Sequence, residues 1–147
     1  MLRPDGRVFI EVYSLPVQGT WTLDGIPAVV PSIEDAEILG QAVLDGLERS
    51  SWRIIPAPDP RDNPMVQEVL DWAGARNWKA YTKGSRAVSV YSRYSVAPPT
   101  AVDISPYERE NSGAYSPIDE EHQEGVVFEG AEELGRLVQE AMKVARA

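Results

Sequence analysis

Residues 32–49 read SIEDAEILGQAVLDGLER, and this stretch predicts the first long helix of the chain. Ser32 is a residue type that caps helices, and Asp35 follows it at the spacing of a capping box. The acidic first turn is also favourable, because carboxylates interact well with the positive end of a helix dipole. The apolar stripe of the predicted helix consists of Ala36, Leu39, Val43, Leu44 and Leu47.

A second long helix is predicted at the end of the chain, where Leu134, Leu137, Val138, Ala141 and Ala145 share one helical face. Both helices contain the pattern Glu-x-Leu-Gly-x-x-Val, at residues 37–43 and 132–138. A glycine inside a helix costs about 1 kcal/mol relative to alanine. Two glycines at the same offset from a leucine therefore indicate close backbone approach, with both helices packed in a similar way against one sheet.

The rest of the chain alternates short strand patterns with turns. A short helix is predicted from Asn63-Pro64 to Ala73, with Gly74 as its stop signal. A proline-rich loop precedes it at residues 55–63, and Lys83-Gly84-Ser85 has the composition of a hairpin turn. The predicted strands cover residues 7–14, 20–24, 26–30, 78–82, 87–93 and 101–105.

These elements predict one α+β domain spanning residues 1–147, with a central mixed or antiparallel sheet packed by two long helices and one short helix. The length of 147 residues and the 43% hydrophobic fraction are those of a single globular domain. The chain has no cysteine, which excludes thiol catalysis, disulfides and thiolate metal sites. No apolar run approaches the ~18 residues of a membrane span, and we expect a cytoplasmic protein that does not bind membranes.

Charge is strongly segregated along the sequence. Residues 103–133 contain ten carboxylates and one arginine, whereas residues 72–100 contain five cations and no acid. The net charge of −9 repels phosphate backbones and anionic lipids, and it favours a basic protein as partner. We interpret residues 106–125 as an acidic loop, and its candidate partner-binding residues are Glu108, Glu110, Asp119, Glu120, Glu121 and Glu124.

The acidic segment also admits other interpretations. His122, the only histidine, is either a general acid or base among carboxylates or a solvated loop residue. A serine hydrolase would need an activated serine, and no Gly-x-Ser-x-Gly elbow occurs. The carboxylates lack the alternating ligands and turn glycine of a calcium loop. We therefore predict no catalytic residue, no metal and no cofactor.

The cationic segment has alternatives of its own. Residues 78–94 interleave bases with aromatic side chains, a composition that would serve single-stranded nucleic acid through stacking and phosphate contacts. Aromatic residues along strands are more often half-buried packing, and cationic strands could instead neutralise the acidic loop within the same molecule. With the acidic remainder of the chain, we expect no direct binding of nucleic acid.

The order of segments from residue 37 onward resembles one family of immunity proteins from bacterial contact-dependent growth inhibition systems. The resemblance covers roughly residues 35–147 and depends on six spaced segments: 37–50 (EILGQAVLDGLERS), 78–83 (WKAYTK), 88–90 (VSV), 102–106 (VDISP), 113–117 (GAYSP) and 133–135 (ELG). Such proteins are small and cytoplasmic, and they bind the C-terminal toxin domain, commonly a nuclease, of a sibling cell's surface protein. The family has no catalytic motif, and no interface residue is transferred from it.

The resemblance and the charge pattern together give one expected function. The chain would be a non-enzymatic immunity protein that binds and neutralises a cognate toxin domain, a basic nuclease, through its acidic surface. The alternative is a generic acidic protein-interaction module without a toxin partner.

Overall fold

The computed structural model describes residues 1–16, 21–52, 64–92 and 99–147, in which four α-helices and eight short strands form an α+β fold. The helices are α1 (Ala36–Trp52), α2 (Pro64–Ala73), α3 (Trp78–Tyr81) and α4 (Ala131–Val144). The strands are β1 (Val8–Ile10), β2 (Tyr13–Ser14), β3 (Thr22–Leu23), β4 (Ala28–Val30), β5 (Ala87–Tyr91), β6 (Ala101–Arg109), β7 (Tyr115–Pro117) and β8 (Gln123–Val127). The predicted α+β class is confirmed.

Strand β6 is the centre of a four-stranded antiparallel sheet. Strand β5 pairs along one side of β6, and β7 and β8 pair with the two halves of its other side. The N-terminal strands form two separate antiparallel pairs, β1 with β4 and β2 with β3. Leu2 connects the two parts, because its backbone bridges both Val8 and Arg86, the residue that precedes β5.

The two long helices cross at the glycines of their shared pattern. A Cβ atom at Gly40 would overlap the carbonyl oxygen of Ala131, and one at Gly135 would overlap the carbonyl oxygen of Ala36. Each helix thus presents two small residues one turn apart, Ala36 and Gly40 in α1 and Ala131 and Gly135 in α4. Their small side chains let the two helix backbones come into contact. The predicted close approach is confirmed, and in each case it is made to the other helix. The prediction that both helices pack against one sheet is wrong, because α1 packs on β1, β2 and β4, whereas α4 packs on β5 and β6.

Apolar residues bury into two clusters. The larger cluster joins α1 and α4 to the sheets, and Leu39 and Leu134 at its centre have no solvent exposure. The smaller cluster packs Phe9 and Tyr81 with α2. Val8 and Phe9 lie on opposite faces of β1, and both are buried because α2 and α3 cover the face that carries Phe9.

Helix α1 begins later than the sequence predicts. Asp35, not Ser32, caps it, since the Asp35 carboxylate accepts the backbone N–H of Ile38 at 3.0 Å. Ser32 instead accepts the N–H of Glu34 in a local turn that precedes the helix.

The prediction of a strand at residues 78–82 is wrong, because this segment contains helix α3. The Asn77 side chain accepts the backbone N–H of Ala80 at 2.9 Å and so caps a helical turn. Lys83-Gly84-Ser85 is a turn as predicted, but it joins this helix to β5 rather than two strands. The aromatic residues that resembled a strand pattern pack on one another instead, with the Trp78 and Tyr81 rings 4.9 Å apart.

Other boundaries also differ from the predictions. The strand predicted at residues 7–14 is divided into β1 and β2, and the one predicted from residue 101 continues to Arg109. The proline-rich loop at 55–63 and the ends of two predicted strands, at residues 20 and 93, lie outside the described residues.

Candidate functional site

The six predicted partner-binding carboxylates lie on the β6–β7–β8 part of the sheet, and all six are exposed. We call them the acidic strip: Glu108, Glu110, Asp119, Glu120, Glu121 and Glu124. Asp119–Glu121 form a short 3₁₀ helix between β7 and β8, and Glu124 follows it at the start of β8. The prediction of an acidic loop at 106–125 is therefore wrong for the residues that form strands: 106–109 belong to β6, and 115–117 and 123–125 lie in β7 and β8, which pair with β6.

Backbone and side-chain contacts hold the segment against β6. The Asp103 carboxylate, which is buried, accepts the N–H of Gly125 at 2.8 Å. The N–H of Ile118 donates to the carbonyl of Pro106 at 2.9 Å, directly before the 3₁₀ helix. A charge cluster on such a pinned backbone loses little conformational entropy when a partner binds it.

Members of the acidic strip differ in whether their carboxylates form ion pairs or hydrogen bonds within the molecule. Glu108 pairs with Arg146 at 3.2 Å, and Glu110 accepts hydrogen bonds from the hydroxyls of Ser112 and Ser116. Within residues 1–16, 21–52, 64–92 and 99–147, no ion pair engages Asp119–Glu121. The 3₁₀ helix is therefore the part of the strip with the most available negative charge.

His122 lies beside Ser105, a contact that the sequence did not predict. The Ser105 hydroxyl lies 2.7 Å from Nδ1 of His122, and Nε2 of His122 lies 3.6 Å from a Glu124 carboxylate oxygen. Such a chain of hydroxyl, imidazole and carboxylate is able to relay a proton. The Ser105–His122 contact is exposed, and it fastens the end of the 3₁₀ helix to β6.

The predicted neutralisation of the acidic segment by the cationic one is not what the structure shows. No ion pair among the described residues joins residues 72–92 to the acidic strip. The connection between the two segments is made by Arg109 of β6. Its guanidinium donates to the Thr82 hydroxyl and to the backbone carbonyls of Lys79 and Glu110. The ring of Tyr81 is 1% exposed and is therefore not a surface on which a base could stack.

A second acidic surface was missed in the sequence. The crossing of α1 and α4 brings the first turns of both helices together, and the exposed carboxylates there are Glu34, Asp35, Glu37, Glu132 and Glu133. The repeated Glu-x-Leu-Gly pattern was the signal that could have found this surface, because it places acids at the same end of two contacting helices.

A cleft of about 980 Å³ was also missed. It opens between the first strands of the chain and β5, and α1 and α4 contribute to its lining. Glu11 lines it together with aromatic side chains that include Tyr13, Trp78 and Tyr115. No local pattern could have predicted this cleft, since its walls come from segments more than 60 positions apart in the sequence.

The pKa values of the tyrosine hydroxyls around Glu11 are raised. Tyr81 donates to Glu11 at 2.8 Å, and burial, followed by the Glu11 charge, raises the pKa of Tyr81. The same two causes raise the pKa of Tyr115 to about 12. These hydroxyls are therefore neutral hydrogen-bond donors at any physiological pH.

Neither a metal-binding cluster nor a membrane-spanning helix is found among the described residues. No group of three or more histidine, aspartate or glutamate side chains there could hold a metal ion. In the same part of the chain, no helix combines the length and apolarity needed to cross a membrane.

Comparison with known proteins identifies a similar fold. No protein-family model matches the chain, and no curated protein does so. A solved structure described as a protein of unknown function from Neisseria meningitidis, NMB0488, is similar with a TM-score of 0.70 and 21% sequence identity. The alignment covers 98% of this chain and 92% of that one, so the two proteins share the fold over nearly their whole length.

Proposed function

We propose that this protein is a non-enzymatic immunity protein that binds and neutralises a basic toxin domain through the acidic strip. The main support is the 3₁₀ helix Asp119–Glu121, which presents three consecutive exposed carboxylates on a backbone fastened to the sheet. Opposite charges on two proteins accelerate their encounter and orient it.

The same charge supports a nuclease as the partner. Nucleases bind polyanions and carry basic grooves, so a row of carboxylates can occupy positions where phosphates would lie. The segment-by-segment resemblance to immunity proteins of contact-dependent growth inhibition systems supports a toxin as this partner. The carboxylates that contribute most to toxin binding in this proposal are Asp119, Glu120 and Glu121, followed by Glu124.

The direct test is co-expression with the toxin domain encoded next to this protein's gene. We expect the two proteins to co-purify and the growth of the host cell to be restored. Purification of the chain without the toxin domain, together with failure to restore growth, would contradict the proposal and favour a generic acidic interaction module.

The geometry at His122 permits a separate test of the proposal that the protein is not an enzyme. A purified sample should hydrolyse p-nitrophenyl acetate no faster than free imidazole does. Hydrolysis above that level, lost in both Ser105→Ala and His122→Ala, would overturn the non-enzymatic assignment and make Ser105 a nucleophile.

A further inference from the structure

The cleft beside Glu11 has the size and lining of a small-molecule site. Its volume of about 980 Å³ lies within the range typical of ligand pockets. One wall is formed by residues 8–13 and the other by β5, with Val43 of α1 and Val138 of α4 contributing apolar surface. This is a mostly apolar concavity whose polar lining consists of carboxylates and hydroxyls, groups that can orient a ligand by specific contacts.

The charged side chains that line this cleft have one sign. They are Glu11 and Glu48, and no lysine or arginine contributes to the lining within the described part of the chain. Glu48 has an interaction of its own, so the inference rests on Glu11. Met1, whose amino group is buried, also lines the cleft, so the preference for a cation over an anion comes from the Glu11 carboxylate.

Glu11 is positioned by neutral donors. The hydroxyl of Tyr81 donates to one carboxylate oxygen at 2.8 Å, and that of Tyr13 donates to the other at 3.2 Å. Each oxygen keeps a lone pair for a further donor. None of the ion pairs among residues 1–16, 21–52, 64–92 and 99–147 includes Glu11.

Two cations near Glu11 direct their hydrogen bonds elsewhere. The amino group of Met1 donates to the carbonyl of Phe9 at 2.6 Å, and burial lowers its pKa. Arg3 donates to the carbonyl of Tyr81 and to the Ser85 hydroxyl. They weaken the field of Glu11 without occupying its oxygens.

Aromatic side chains supply the second element of cation recognition. Trp21, Trp78 and Tyr91 line the cleft, and the rings of Trp21 and Tyr91 meet edge to face with centroids 6.0 Å apart. Aromatic ring faces attract ammonium and guanidinium groups, most strongly when water is excluded. The protein already uses this interaction nearby, since the Arg3 guanidinium lies 5.4 Å from the Phe9 ring centre.

We propose that this cleft binds an organic cation, a primary ammonium or guanidinium group on an apolar body, with Glu11 as its counter-charge. The charged group donates to the Glu11 carboxylate, and the apolar body packs against the tryptophan and tyrosine rings. The cation is either a free amine or a basic side chain of a bound peptide, two sources with the same chemistry. The proposal does not depend on the acidic strip, which lies on other elements.

The test compares matched probes by calorimetry and by tryptophan fluorescence, to which Trp21 and Trp78 in the cleft should respond. Phenethylamine and agmatine carry the cation, whereas phenethyl alcohol is the neutral counterpart of phenethylamine. We expect phenethylamine to bind about tenfold or more tightly than the alcohol, and Glu11→Gln to remove that difference. Glu129→Gln, the same change at an exposed position between β8 and α4, should leave both affinities unchanged.

A third probe distinguishes the two sources. A blocked tripeptide with arginine between two valines should bind more tightly than agmatine if the natural cation is a side chain, and more weakly if it is a free amine. Either order supports the proposal, provided that Glu11→Gln weakens the binding.

Two results would overturn it: equal affinities of the amine and the alcohol for the unmodified protein, or no binding of any cation at about 10 mM. Both are measured without a variant, so they remain decisive if Glu11→Gln does not fold.

Discussion

Gly40 of α1 and Gly135 of α4 lie against each other, so that a Cβ atom added to Gly40 would stand 2.8 Å from the backbone nitrogen of Gly135. Because the clash is with backbone atoms, neither helix can relieve it by moving a side chain. The packing of the two long helices on each other therefore depends on the absence of side chains at these two positions.

The first prediction concerns this crossing. Gly40→Ala should destabilise the protein by about 3 kcal/mol or prevent folding, because the new methyl group forces the helices apart. Gly46→Ala is the matched control in the same helix, where the added Cβ would meet side-chain methyl groups of Ile10 and Val12 at 3.4 Å. It should be neutral or stabilise by up to about 1 kcal/mol through helix propensity. Urea unfolding measures both, and equal effects would disprove the close-packing argument.

The buried Asp24 gives a second prediction. Its side chain has no exposure, accepts a hydrogen bond from Ser14 at 2.9 Å and lies 3.6 Å from the Arg49 guanidinium. Arg49→Met should cost about 2 to 3 kcal/mol of unfolding free energy, since it leaves a buried carboxylate with less compensation. Arg136→Met, which breaks an exposed pair with Glu132, should cost less than about 0.5 kcal/mol. A cost for Arg49→Met no larger than that of the control would show that the pair is unimportant.

A third prediction tests the hydrogen bonds to Glu11. Tyr81→Phe removes a buried donor to a carboxylate and should lower the unfolding free energy by about 1.5 to 3 kcal/mol. Tyr13→Phe removes a longer bond from an exposed side chain and should cost less than about 0.5 kcal/mol. Thermal unfolding of the two variants separates these outcomes, and the reverse order would contradict the assignment.

The raised tyrosine pKa values predict instability in alkali. A tyrosine that titrates near 10 in the unfolded chain and at about 12 in the fold, as Tyr115 does, keeps its proton longer when folded. Its stabilising contribution is complete below pH 10 and is lost as the pH rises toward 12. The unfolding free energy should therefore fall across this window, and Tyr115→Phe should reduce the slope. An unchanged slope in this variant would show that other groups control the alkaline transition.

The acidic strip gives a fifth prediction, on association kinetics. Replacing Asp119, Glu120, Glu121 and Glu124 by their amides should slow association with the toxin domain about tenfold or more at low salt and reduce the salt dependence of the rate. The control neutralises four exposed carboxylates on and beside the helix crossing: Glu34, Glu37, Glu129 and Glu132. A larger effect of the control set would place the contact surface at the crossing of α1 and α4.

Local sequence patterns were enough to predict the amphipathic helices, which bury one face. The apolar stripe of α1, the similar stripe of α4 and the glycines within them are all visible in the sequence, because a helix repeats every 3.6 residues whatever its neighbours are. The wrong strand prediction at 78–82 shows the limit, since the side-chain cap at Asn77 favours a helical turn despite the strand propensity of Trp78, Tyr81 and Thr82.

The sequence by itself determined the α+β class, the two long helices, the need for close backbone approach at Gly40 and Gly135, and the concentration of carboxylates after residue 103. Only the tertiary structure decided that these glycines face each other, that the acidic segment pairs with β6, and that Glu11 shares a cleft with tyrosines and tryptophans. The physical reason is range: periodicity and capping act over a few residues, whereas Glu11 and Tyr81 are separated by 70 positions and meet only when the sheet and helices close around them.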